Sequence, residues 1–286
     1  MSGRRFPHRL LAAVMLVAGA WLAAPAAAED RASMEEMESL LLRQPLRISA
    51  AVSRIARPES DAPAMFFLGF AGFGEEKVFA EEIRFAADVI AARYGTAGRS
   101  LLLVNDRRDA GALPLATVSS LRYALRALAR RMDVEQDVLF LAISSHGGEH
   151  HVVVSHEPLA LGDLTDEALA AALDDSGIKW RVIVISACFS GSFIEALSDP
   201  HSIVITAAAA DRSSFGCADD RDLTWFGEAF YRDALPAASS LRDAFERAVS
   251  LIAAREHIED VEPSLPQAHF GAAIESRLAE LESARR

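Results

Sequence analysis

The sequence predicts an α/β protein, a three-layer sandwich in which helices cover both faces of a mostly parallel sheet. Two observations carry this reading. Apolar runs of strand length recur along the chain as continuous hydrophobic stretches, the pattern of strands covered on both faces. Between them lie segments with apolar residues at helical spacing, long enough for the crossovers that parallel strands need. A third observation points to where chemistry would sit. Two of the runs, Asp137-Val-Leu-Phe-Leu-Ala-Ile-Ser144 and Trp180-Arg-Val-Ile-Val-Ile-Ser-Ala187, lead straight into His146 and Cys188. Open α/β sheets bind ligands beyond the carboxyl ends of their strands.

The chain divides into residues 1–28, 29–62 and 63–286. The first carries Arg4, Arg5 and Arg9, an apolar run from Leu10 to Ala24, and Ala26-Ala-Ala28 before Glu29-Asp30. Those are the three regions of a secretory signal, which predicts export across the inner membrane and a periplasmic location, with an uncleaved membrane anchor as the alternative. Removing it takes away three basic residues and no acidic ones, leaving 26 basic against 41 acidic. So acidic a protein, without a basic run, is a poor partner for nucleic acid or anionic lipid, and no stable membrane insertion is expected once the signal is cleaved. In residues 29–62, Met34-Glu-Glu-Met-Glu-Ser-Leu-Leu-Leu42 suits a short helix, and Arg57-Pro-Glu-Ser-Asp-Ala-Pro63 reads as linker.

In the third part, Ala64 to Phe70 is the first strand. It is followed by Ala71-Gly-Phe-Gly74 and a helix over 75–94 that Gly95 stops. Ser100 to Asn105 is the second strand, and 115–132 a helix with Leu121, Leu125 and Leu128 on one face and Arg122, Arg126, Arg130 and Arg131 on the other. The third strand, Asp137 to Ser144, leads into a hairpin arm at His151-Val-Val-Val-Ser155. A helix over 162–173 then has Asp163 or Thr165 to cap it. The fourth strand is Trp180 to Ala187, with a short helix near 193–197, and the fifth is Ser202 to Thr206. A loop over 207–222, helices near 223–233 and 239–257, and a tail over 267–286 ending in a charged helix complete the chain.

A thiol is mostly protonated at neutral pH, and a nucleophilic cysteine needs an imidazole, a cation or a helix N-terminus beside it. If the strands ending at His146 and Cys188 are neighbours, they supply such a pair. Gly147 has no Cβ to block approach to its amide, and with the amide of Cys188 it makes an oxyanion hole. His150, His151 and His156 raise a metal site. Gly147-Gly148 breaks any helix that would align them with His146, and alternate hairpin positions face opposite ways, so no metal is expected. Cys217 is the only other cysteine. A single disulfide between the two is the structural alternative to two free thiols.

The pattern strand-Ser-His146-Gly, with strand-Ser-Ala-Cys188-Phe-Ser-Gly-Ser 42 positions later, resembles the legumain-like cysteine peptidases, relatives of the caspases. The order of His-Gly, short hairpin, Asp163-Leu164 helix and cysteine strand resembles theirs too. Thr206-Ala-Ala-Ala-Ala-Asp-Arg-Ser-Ser-Phe-Gly-Cys217 looks like their specificity segment, and Trp225-Phe-Gly-Glu228 like the helix start that carries an acidic pocket residue. The likeness spans Ala64 to Arg232. It implies a caspase-like sandwich and hydrolysis of peptide bonds in a peptide or protein substrate, with no cofactor. It makes His146 the acid and base, Cys188 the nucleophile and Gly147 an oxyanion donor, and it lines the substrate pocket with Ser213, Ser214 and Glu228. Ser186 stands in that pocket where legumains carry an acid. Their arginine after the first strand and the asparagine that supports their histidine have no counterpart here, where Glu75 and Glu76 stand. A catalytically inactive binding module and a transpeptidase using the same acyl-enzyme are the alternative functions.

Overall fold

The computed structural model describes residues 34–57, 62–108 and 111–283. The signal-like segment 1–28 and part of the 57–63 linker lie outside them. Residues 34–42 form the expected helix, in a unit separate from the compact one that begins at Arg43. Among the described residues, no helix is long and apolar enough to cross a membrane.

The compact unit is built on a six-stranded sheet. In chain order its strands are β1 (Met65–Ala71), β2 (Ser100–Val104), β3 (Val138–Ser144), β7 (Trp180–Ser186), β8 (Ser202–Thr206) and β9 (Gln267–Phe270). The short β4 (Gly147–Gly148), β5 (His151–Val152) and β6 (Leu164–Thr165) form a separate antiparallel sheet. The spatial order in the large sheet is β2-β1-β3-β7-β8-β9, and every pairing is parallel except β8 with β9.

Strand alternation sends residues to opposite faces, and both faces are apolar. Phe67, Phe140, Val182 and Val184 point into one core; Phe66, Leu139, Leu141 and Ile183 point into the other. The first core is closed by α2 (Lys77–Tyr94), α6 (225–234), α7 (Leu241–Glu259) and α8 (Ala272–Ser283). The second is closed by α1 (Gln44–Ser53), α3 (Val118–Ala129), α4 (Asp166–Ser176) and α5 (Ile194–Leu197). This is the mixed α/β sandwich the sequence predicts. The helix ends follow local chemistry. Gly95 leaves α2 at φ 68° and donates its amide to Ala91. Thr117, Thr165 and Ser240 cap α3, α4 and α7 with their hydroxyls, so of the two candidates for α4 it is Thr165 that serves.

Two elements were not anticipated. α1 was read as part of the segment before the domain, yet Ile48 and Val52 are buried in the second core. Arg131, assigned to a solvated face, donates to the carbonyls of Val52 and Ser53 at the end of α1. β9 fell in the stretch read as tail.

Candidate active site

Three strand ends bring the site together. Ala71 of β1 pairs with Ser144 of β3, and Ser144 pairs with Ser186 of β7. His146 and Cys188 therefore each lie two residues beyond a matched pair at the carboxyl edge of the sheet. β1 and β3 also form the switch point of the strand order, where the chains leaving the two strands diverge and open a crevice.

The turn after β1 is fixed from several sides. Gly72 donates to Ser144, Ser155 donates to Gly72, and Gly74 donates to Ser155. Buried Asn105 holds the Gly72 carbonyl at 2.9 Å. Glu75 accepts from the Glu157 amide at 2.9 Å. Burial opposes its charge, but that amide, Ser155 and Arg107 prevail and hold the Glu75 carboxyl below the ordinary range. The turn thus places Phe73 and Glu76 against His146. The imidazole meets the rings of Phe73 and Phe79 edge-on, at centroid distances of 4.7 and 4.9 Å. Its Nε2 is 3.2 Å from Glu76 Oε2. That is ion-pair distance without hydrogen-bond alignment, for this oxygen has no hydrogen-bond partner among the described residues. Glu76 is also the residue that precedes α2, in extended conformation.

Gly147 touches the backbone of Cys188. A Cβ at this position would lie 2.5 Å from the Cys188 carbonyl oxygen and 3.1 Å from the Ala187 Cβ, so only glycine lets the two strand ends approach. Beyond Cys188, Phe189 takes a left-handed conformation at φ 56° and donates its amide to the Arg212 carbonyl at 2.7 Å. For a bulky residue this costs about 1–2 kcal/mol. It turns the chain into a short 3₁₀ stretch, Ser190–Phe193, ahead of α5.

The Cys188 sulfur faces the loop after β8. Ser214 donates its amide to Sγ at 3.3 Å, and the Ser214 carbonyl and hydroxyl oxygens lie 3.5 and 3.6 Å away. No hydrogen bond joins Sγ to His146. Ser213 is exposed beside Ser214. Cys188 and Cys217 are both free thiols. Burial pushes the Cys217 thiol up to about 12, with Cys188, Glu82 and Glu76 adding to the shift.

No hydrogen bond joins the Cys188 sulfur to either of the two acid-related positions, Ser186 and Glu228. Ser186 is buried and hydrogen-bonds Thr224 at 3.1 Å. The Glu228 carboxylate is surrounded by Arg221 at 2.6 Å, Arg232 at 3.1 Å and Arg255. With Arg84, Arg221 and Arg232 it lines a cleft of about 620 Å³ to which neither His146 nor Cys188 contributes. Glu76, Phe73 and Phe79 were missed in the sequence as neighbours of the histidine. The available signal was that all three lie just past a strand end. Of the hairpin histidines, His150 pairs with Asp166 at 2.7 Å, and no group of three or more His, Cys, Asp or Glu among the described residues is arranged to hold a metal ion.

A protein-family model described as the peptidase C13 family matches residues 128–276. The match contains His146, Gly147, Cys188, Ser213, Ser214 and Glu228; Glu76 precedes it. No curated protein matches the chain.

Proposed function

The chain belongs to the peptidase C13 family, the legumain family of cysteine peptidases, and from that premise we propose that it cleaves peptide bonds through a Cys188 acyl-enzyme with His146 as acid and base. The observation that carries this assignment is the register of β3 and β7, which gives the imidazole and the thiol equivalent positions past paired residues.

The reaction runs in two displacements. The Cys188 thiol gives its proton to His146 and the sulfur attacks the scissile carbonyl, with the Gly147 and Cys188 amides receiving the oxyanion. The C–N bond breaks as His146 passes the proton to the leaving amine. Water, deprotonated by the same imidazole, then adds to the thioester and the sulfur departs with a proton. Glu76 orients the ring: with Nε2 turned to its carboxylate, Nδ1 is the nitrogen left for proton transfer. Ser214, at the sulfur, and exposed Ser213 line the approach of the residue before the cut. With three arginines around Glu228, that carboxylate presents little net negative charge to a substrate.

Digestion of a peptide library by wild type, Cys188→Ala and His146→Ala tests the reading. Cleavage is expected to fall on the order of 10⁴-fold or more without the thiol and about 10²- to 10⁴-fold without the imidazole. Full activity in Cys188→Ala would refute it. The residue pattern of 1–28 supports export to the periplasm. Terminal sequencing of the protein from that compartment is expected to begin at Glu29, and a chain that stays in the cytoplasm with Met1 intact would contradict export.

A further inference from the structure

Glu82 is fully buried on α2, more than sixty residues from either member of the dyad in sequence. Among the described residues no cation pairs with its carboxyl. Instead the Ser144 hydroxyl donates to Oε1 at 2.9 Å, and Thr224 donates to Oε2 from its amide at 2.9 Å and its hydroxyl at 2.6 Å. The Thr224 hydroxyl also meets Ser186 at 3.1 Å and accepts from the Gly227 amide at 2.9 Å. Gly227 makes this approach possible, because a Cβ there would overlap the Glu82 carboxyl.

The four anchored points share one relation to the dyad. Ser144 and Ser186 are register partners, each two residues before His146 or Cys188. Thr224 begins α6 and ends the loop that holds Ser214 against the Cys188 sulfur. Glu82 itself rides on the helix whose leading residue, Glu76, faces His146, six residues and about 9 Å of helix axis away. Burying a carboxyl without a cation is costly, and a merely cohesive core would place an apolar side chain here.

We propose that Glu82 is a positioning residue, whose buried carboxyl clamps the ends of β3 and β7 and the start of α6 to α2 and so fixes the separation of His146, Cys188 and Ser214. This rests on the reading of His146 and Cys188 as the dyad. The Thr224 amide can only donate, so Oε2 has to accept, and the Ser144 and Thr224 hydroxyls complete the contacts to the carboxyl. The carboxyl works through geometry: reacting groups displaced by about 1 Å lose on the order of 10²-fold in rate.

Steady-state peptide hydrolysis by Glu82→Gln, Thr224→Val, Thr224→Ser and Cys188→Ala separates the possibilities. Glu82→Gln and Thr224→Val are expected to lower kcat on the order of 10- to 100-fold with KM within about twofold, while Thr224→Ser, which keeps hydroxyl and cap, stays close to wild type. A kcat of Glu82→Gln within about twofold of wild type, with Cys188→Ala inactive, overturns the positioning role and leaves the dyad intact. An active Cys188→Ala overturns the dyad and the positioning role with it. If Glu82→Gln does not accumulate as folded protein, Ser144→Ala carries the test. A lowered kcat at unchanged KM supports the clamp, and an unchanged kcat overturns it.

Discussion

Glu76 and His146 meet at 3.2 Å with both side chains about one-third exposed, so solvent weakens their attraction. A pair of this kind is worth up to about 1 kcal/mol, or about fivefold in rate if all of it is expressed in the transition state. Glu76→Gln is therefore expected to lower kcat about fivefold with little change in KM, measured by steady-state hydrolysis of one peptide. A loss confined to KM would show that Glu76 touches substrate instead of the imidazole. The ring also has a second support, the edge contacts with Phe73 and Phe79, so the loss of charge alone does not release it.

At the scale of elements, α2 is the part of the structure that serves the site twice, through Glu76 at its start and Glu82 one and a half turns later. Its packing against α6 depends on Gly227, where a methyl group would meet the Glu82 carboxyl. Gly227→Ala is expected to destabilise the fold by about 1–3 kcal/mol through this overpacking and to lower kcat beside it. Urea unfolding followed by circular dichroism checks the first effect, and an unchanged midpoint would contradict the close approach. Much of this architecture was legible beforehand. The strands that carry His146 and Cys188 are unbroken apolar runs, and a doubly covered strand admits little else. β9 was not legible, because Gln267-Ala-His-Phe270 is a short, half-exposed edge strand whose pairing with β8 comes from tertiary packing. α1 was missed because its buried residues, Gln44, Ile48 and Val52, form a narrow stripe in a polar segment. The two glutamates were missed because sequence shows neighbours along one chain, and their partners His146, Ser144 and Thr224 lie far from them in the chain. Glu82 did leave a signal: it sits in the buried stripe of α2 with Val78, Phe79 and Ala86, where an acid has to have a reason.

For the molecule as a whole, the buried cluster couples folding to protonation. Burial raises the Glu82 carboxyl above its ordinary value of 4.5, against the opposing hydrogen bonds from Thr224, Ser186 and Ser144. The folded state then holds this proton more tightly than the unfolded chain. The contribution is fully present below the unfolded carboxylate pKa and is lost as pH rises through the folded value. The titrating neighbours are Cys217 and Tyr231, both raised far above that window by burial. Urea unfolding of wild type and Glu82→Gln at a series of pH values should show stability falling more steeply in wild type as pH rises above 4.5. Parallel curves would contradict the coupling.

Cys188 is the proposed nucleophile, and Cys217 supplies an internal control for it. Both thiols are half-buried, but desolvation holds that of Cys217 up to about 12, whereas the Cys188 sulfur stands at the carboxyl edge of the sheet with His146 past the neighbouring strand. The most direct measurement is mass mapping of the native protein after reaction with a peptidyl acyloxymethyl ketone, with residual peptide hydrolysis followed in the same samples. The predicted result is one adduct, on Cys188, formed in step with the loss of activity and strongly slowed in His146→Ala. An adduct on Cys217 alone, or hydrolysis that continues after Cys188 is fully modified, would contradict it.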